Sequence, residues 1–258
     1  MDNNIKNNRV LVAMSGGIDS SMALKLLIDE GFECVGCTMN LYDNGTAGIK
    51  NSHTCCSLDD VLDARSICNK FGIRHYTFNF KELFKEKVID KFVDDYINGR
   101  TPNPCIDCNK YMKFSKLFER MKLLNCNYIA TGHYARIDLI DGKYILKKAV
   151  DKTKDQSYVL YFLNQEQLSH IKFPVGNYEK NNIRHIADEN GFINANKKDS
   201  QDICFVPDGN YTEVIRINSD RDVSTGNFIN KDGKILGKHK GVIYYTIGQH
   251  KKLGIVLY

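Results

Sequence analysis

An uninterrupted apolar run, Val10-Leu11-Val12-Ala13-Met14, passes into Ser15-Gly16-Gly17-Ile18-Asp19-Ser20-Ser21 and from there into a helical pattern. A strand that feeds a helix through paired glycines constrains the fold more than any other stretch of the chain. Gly16 and Gly17 carry no side chains, so backbone N–H groups can approach an anion closely. Ser15, Ser20 and Ser21 add hydroxyl donors, and the positive end of the following helix points at the same place. Asp19 can hold a magnesium ion or orient a ligand hydroxyl. The loop has neither the Gly-x-x-x-x-Gly-Lys pattern of kinase-like phosphate loops nor the Gly-x-Gly-x-x-Gly of dinucleotide sites.

Strand and helix signals then alternate. Strands are predicted over 9–14, 33–40, 75–80 and 128–131, and helices over 20–30, 57–71, 83–97 and 113–124. Leu58, Val61, Leu62, Ile67 and Phe71 carry the helical spacing of the second helix. This order predicts an α/β fold, a doubly wound parallel sheet with ligands at the carboxyl ends of its strands. Beyond it, Asp141-Gly142 marks a hairpin between 135–138 and 144–148, and helical pieces follow over 165–170 and 182–190. From about Phe205 the chain reads as β, with a second hairpin around Lys231-Asp232-Gly233. The division expected is a domain over 1–205 and a small β-rich domain over 206–258.

Hydrophobic residues make up 42% of the 258, enough for a packed core, and 36 Lys and Arg against 31 Asp and Glu leave +5. That balance permits an RNA partner without requiring one. No stretch is long and apolar enough for a signal peptide or a membrane span, so a cytoplasmic protein without a membrane partner is expected, with its thiols reduced.

The nine cysteines are therefore expected to bind metal, do redox chemistry or lie buried. Cys105 and Cys108 form a C-x-x-C inside Thr101-Pro102-Asn103-Pro104-Cys105-Ile106-Asp107-Cys108-Asn109, a stretch whose two prolines predict a loop. Such a pair can bind metal, exchange disulfides, or offer a nucleophile and a neighbour. No second C-x-x-C exists to complete a four-cysteine zinc site. Cys34, Cys37, Cys68 and Cys126 read as core, and Cys55-Cys56 as partly buried. Lys113 and Arg136 read as solvated charge. His133, after a glycine at a strand end, reads as functional.

The Ser-Gly-Gly-Ile-Asp-Ser loop resembles the loop of the ATP pyrophosphatase superfamily, whose adenine nucleotide α-hydrolase-like members cleave ATP to AMP and pyrophosphate. The blocks Ala13 to Ser21, Thr101 to Phe114, Ala130 to Ala135, Lys154 to Tyr158, Asp202 to Pro207 and Tyr245 to Gln249 occur here in one order. Together they resemble the bacterial tRNA-specific 2-thiouridylase family over nearly the whole chain. The resemblance implies replacement of the 2-oxygen of a wobble uridine by sulfur, with ATP and Mg2+ as cofactors. Its partners would be tRNA and a cysteine desulfurase or sulfur-relay protein. It implies that Ala13, Met14, Ser15, Gly16, Gly17, Ile18, Asp19, Ser20, Met39 and Gly132 contact ATP. Asn103, Pro104 and Cys105 would face the target base, and His133, Lys154, Asp155 and Gln156 would touch tRNA. Cys108 would be the nucleophile and Cys204 the persulfide carrier.

Many members carry Asp where this chain has Cys105, so the acid–base role of that Asp does not transfer. Members also continue past the Gly-Gln-His region into a C-terminal β-barrel, whereas this sequence reaches Tyr258. The reading expects the barrel to be absent and tRNA binding to be electrostatic and weak. Two alternatives stand beside it. A related thiolase would hold a 4Fe-4S cluster on Cys105, Cys108 and Cys204, and a noncatalytic module would bind ATP or tRNA.

Overall fold

The computed structural model describes residues 8–43, 58–195, 197, 203–206, 209–221 and 223–255. Cys55, Cys56 and Asp202 lie outside the described residues. In chain order the first elements are β1 (Arg9–Ala13), α1 (Ile18–Asp29), β2 (Glu33–Asn40), α2 (Leu58–Lys70) and β3 (His75–Asn79). Then α3 (Lys81–Phe84) runs through a π-helical stretch, Lys85–Ile89, into α4 (Asp90–Ile97). Next, α5 (Pro104–Asp107) runs through a second π-helical stretch, Cys108–Lys116, into α6 (Leu117–Leu123). After β4 (Tyr128–Ala130) come the hairpin β5 (Ala135–Ile140) and β6 (Lys143–Lys148), then α7 (Gln165–Ser169), β7 (Ile171–Lys172) and α8 (Lys180–Glu189). Then come α9 (Tyr211–Ile217), the hairpin β8 (Gly226–Ile229) and β9 (Ile235–His239), and a 3-10 turn, Val242–Tyr244.

The main sheet has five parallel strands in the order β3-β2-β1-β4-β7. Alternation along β1 explains why both faces are covered. Val10 and Val12 point into a cluster with Met22 and Leu24 of α1, Ala64 and Ile67 of α2, and Ile183 and Ala187 of α8. Leu11 and Ala13 point the other way, with Val35 and Cys37, onto Leu117, Phe118 and Met121 of α6. Each fully buried aliphatic side chain contributes about 1.5–3 kcal/mol relative to exposure. The doubly wound parallel sheet expected from the sequence is therefore present. Because β2 and β4 flank β1 on opposite sides, the chain reverses direction of winding there, and the carboxyl ends of β1 and β4 mark the switch point at which ligands bind in sheets of this kind.

Two expectations are corrected. The segment after Phe205 is not β throughout. Val214 and Ile215 of α9 are buried, and Tyr211 packs against the same cluster, with Phe92, Val93 and Tyr96 of α4. Such a one-sided apolar face, residues three and four apart, is a helical period too short to stand out in sequence. Thr101 to Asn109 is not a loop throughout either. Pro104 occupies the first position of α5, where its missing N–H costs nothing, and Asn103 caps the helix by accepting from the Cys105 amide at 3.1 Å.

Candidate active site

The turn after β1 is held from several sides. Gly16 has φ +74°, and a Cβ there would lie 2.6 Å from the Asp60 carbonyl oxygen, so this position takes glycine for both conformation and space. The Ser20 hydroxyl donates to the Gly17 carbonyl at 2.9 Å and accepts from the Ser15 amide at 3.1 Å. The buried Asn194 amide donates to the Gly16 carbonyl at 3.0 Å and to the Ser21 hydroxyl at 2.9 Å. Thr38 on β2 donates to the Met14 carbonyl at 2.9 Å. Gly17 is the N-cap of α1 and provides no side-chain acceptor for the first-turn amides, which suits them to an outside anion. Ser15 is exposed and Gly17 and Asp19 are half-buried, whereas Ala13, Met14 and Ile18 are buried and form the floor. Met39 lies half-buried near the carboxyl end of β2.

Asp19, in the first turn of α1, accepts from the Tyr134 hydroxyl at 2.9 Å and from the Lys180 ammonium at 2.7 and 2.8 Å. Gly132, after β4, presses against this turn: a Cβ there would meet the Asp19 carbonyl carbon and the Ser20 amide nitrogen, each at 2.7 Å. Lys180 and Asn194 stand in no block of the sequence reading, because each reaches the loop only through the tertiary fold. Magnesium favours carboxylates together with substrate phosphates. The Asp19 oxygens are engaged by an ammonium and a phenol, and among the described residues no three His, Cys, Asp or Glu side chains gather as a metal-ligand group.

Cys105 is exposed and Cys108 is buried, on the same helix start. Asp107 between them is buried and paired with Lys91 at 2.6 Å. The Thr101 hydroxyl accepts from the Ile247 amide at 2.8 Å, bringing the Tyr245 to Gln249 block to this helix. Cys204 arrives from far along the chain. The Tyr42 hydroxyl donates to its carbonyl, and the next residue, Phe205, is sunk among Tyr42, Phe84 and Phe92 with ring centroids 6.4, 5.8 and 5.3 Å away. Cys108 and Cys204 thus belong to one apolar cluster. Burial raises the Cys108 thiol to about 11; Lys113 opposes the rise, while Cys105 and Asp107 add to it. Among the described residues, Cys105, Cys108 and Cys204 are not gathered as a metal-ligand group. Cys34, Cys37, Cys68 and Cys126 are core residues, as the sequence indicates.

His133 is 8% exposed, so its ring sits inside the molecule. Its Nδ1 pairs with the Thr131 hydroxyl at 2.7 Å, and its Nε2 lies 3.5 Å from the Lys113 ammonium. Burial, with the Lys113 charge adding to it, holds the imidazole well below its usual range, and the ring is neutral. Lys113 is half-buried, and its sequence context gives no sign of this ring partner. Arg136 is half-buried and donates to the Lys148 carbonyl at 2.9 Å. Asp155 accepts from the Ala149 amide at 2.9 Å and the Ser157 hydroxyl at 2.8 Å, and Gln156 accepts from the Tyr134 amide at 3.0 Å. Both residues thus hold their own loop against Tyr134, with half-buried Lys154 beside them.

Residues 8–208 match the family described as tRNA methyl transferase HUP domain, and residues 217–258 that described as tRNA methyl transferase PRC-barrel domain. The chain is 53% identical over 253 residues to a tRNA-specific 2-thiouridylase, MnmA 2, of Caldanaerobacter subterraneus subsp. tengcongensis, covering 97% of this chain and 70% of the relative. It is 50% identical over 252 residues to tRNA-specific 2-thiouridylase MnmA of Clostridioides difficile, covering 96% and 69%. Among solved structures, the U34-tRNA thiolase NcsA of Methanococcus maripaludis, with its 4Fe-4S cluster, aligns at TM-score 0.46 and 15% identity. That alignment covers 82% of this chain and 65% of that one. No helix among the described residues is long and apolar enough to cross a membrane.

Proposed function

The chain belongs to the tRNA-specific 2-thiouridylase family, and from that premise we propose how its residues divide the reaction. The observation that carries the reading is the meeting of three distant segments. Lys113, on the helix of Cys108, reaches His133, whose neighbour Gly132 packs on the first turn of α1 beside Asp19. Cys204 joins Cys108 in one cluster. These contacts support a reading in which the nucleotide loop and the two cysteines serve one reaction.

ATP phosphates occupy the first turn of α1 and the hydroxyl of Ser15. Lys180 supplies the ammonium that a kinase-type loop would carry within itself. Magnesium carried by the phosphates would be held beside Asp19 and would supply counter-charge to the pyrophosphate group. The uridine 2-oxygen attacks the α-phosphorus, pyrophosphate leaves, and the 2-oxygen becomes part of a good leaving group. Cys204 receives the sulfane sulfur from a cysteine desulfurase or relay protein. The Cys108 thiolate attacks the inner sulfur of that persulfide and forms a disulfide with Cys204. The outer sulfur departs as hydrosulfide, adds to carbon 2, and AMP leaves with the oxygen. A thiol reductant then restores both cysteines. Asn103, Pro104 and Cys105 face the base, Lys154 the tRNA backbone, and the whole operates in the cytoplasm.

The test is incubation with ATP, tRNA and a cysteine desulfurase, followed by mass spectrometry of the wobble nucleoside and chromatography of the nucleotides. The expected products are 2-thiouridine, AMP and pyrophosphate. ADP and phosphate in their place would overturn the adenylation route. tRNA affinity is expected to fall steeply with salt, as phosphate contacts do.

A further inference from the structure

Cys108 and Lys113 stand five positions apart. In an α-helix that spacing turns the second residue about 140° away from the first. The stretch Cys108–Lys116 is instead π-helical, and its i→i+5 ladder brings residues five apart back to one side. This winding turns the Lys113 position less far from the Cys108 position than an α-helix would. The ammonium is also held from behind. Lysine is a donor without lone pairs, so the Lys113–His133 contact at 3.5 Å requires an unprotonated Nε2. The neutral ring must then carry its proton on Nδ1, which donates to the Thr131 hydroxyl at 2.7 Å. T-shaped packing of Phe173 on the ring, at 5.9 Å between centroids, fixes its plane.

We propose that Lys113 is a positioning residue, seated by the chain Thr131–His133, whose ammonium supplies the counter-charge to the sulfur anion formed at Cys108. The proposal rests on Cys108 as the nucleophile of the sulfur-transfer step. It explains why a thiol sunk in an apolar cluster has a reactive role at all. Desolvation opposes the anion there, and Lys113 is the group that favours it, against Cys105 and Asp107. Asp107 is itself held by Lys91. Tyr42, Tyr96, Tyr111, Tyr211, Tyr244 and Cys204 are the other titratable groups of the cluster. The π-helical turn has a function on this account, because an unbroken α-helix would turn the ammonium aside.

The test is the rate of iodoacetamide alkylation of Cys108 at fixed mildly alkaline pH, followed by peptide mass spectrometry with Cys204 as internal reference. Lys113→Gln is expected to slow Cys108 about tenfold, the equivalent of one pKa unit, and to leave Cys204 unchanged. Lys113→Arg is expected to keep most of the rate. Thr131→Val, which leaves the lysine but loosens the ring, is expected to slow Cys108 about threefold, a shift of half a unit. Thermal unfolding identifies any variant that has lost its fold, and the Thr131→Val arm then decides. Unchanged Cys108 reactivity in a folded Lys113→Gln or Thr131→Val chain overturns the proposal. The measurement needs neither ATP nor tRNA, so failure of the thiolation reading would appear separately, as a wild-type chain that makes no 2-thiouridine.

Discussion

The Lys180 ammonium meets the Asp19 carboxylate at 2.7 Å with the lysine side chain only 6% exposed, joining the first turns of α8 and α1. A buried cation at that place has two roles, to fasten α8 to the nucleotide loop and to present positive charge where phosphate is expected.

Lys180→Met therefore removes a fastening and a phosphate contact together. Asp19 keeps Tyr134 and some solvent, so the stability cost is expected at about 2–3 kcal/mol, below that of a fully buried pair. A urea midpoint measures the loss. ATP, which should raise the thermal midpoint of the wild-type chain, is expected to leave that of the variant unmoved.

Gly132→Ala places a methyl 2.7 Å from backbone atoms of Asp19 and Ser20. Backbone cannot swing aside as a side chain can, so α1 must shift from β4. A loss of about 1–3 kcal/mol is expected, with weaker ATP binding by calorimetry.

Phe205→Ala empties the pocket among Tyr42, Phe84 and Phe92 that seats the neighbour of Cys204. Large-to-small changes of a buried Phe cost about 3–5 kcal/mol. Local release of the segment is expected to limit the global loss, so alkylation of Cys204 should accelerate more than the unfolding midpoint falls.

Stability is expected to fall at both ends of the pH range. Burial raises the thiols of Cys34, Cys68 and Cys108 to about 12, 11 and 11. Between the unfolded value near 8.5 and these values, the unfolded chain has lost protons that the folded chain keeps, so stability declines as pH rises. His133 and His75 are held below the usual imidazole range, chiefly by burial. Their contribution is present above about pH 6.5 and is lost as pH falls, because the unfolded chain takes up protons first. Urea midpoints across the range check both limbs.

Cys105 is exposed at the second position of α5. Cys105→Asp puts a carboxylate in a first helical turn, where it is tolerated. By the persulfide route, thiolation activity is expected to be kept or improved. An iron-loaded wild type whose Cys105→Asp variant loses iron and activity together would reverse the assignment, since a carboxylate replaces a thiolate poorly at a soft cluster.

Local chemistry made much of this protein legible in one dimension. The β1–α1 loop declares itself because glycines, hydroxyls and a helix start are contiguous. The alternation of strand and helix periods is enough to imply a parallel sheet covered on both faces. The core placement of Cys34, Cys37, Cys68 and Cys126 follows from their positions on those elements. The helix at Pro104 was obscured because proline obstructs a helix interior but fits its first position, and that distinction depends on where Asn103 places the cap. The same holds for α9, whose short apolar face acquires meaning only against α4. What the tertiary structure decided are the pairings across long stretches of chain: Lys180 on Asp19, Asn194 on Gly16, Lys113 on His133, and Cys204 in the cluster of Cys108. A sequence states which side chains can carry charge or sulfur. Whether a charge such as that of Lys113 also meets a buried ring depends on neighbours that exist only once the chain has folded.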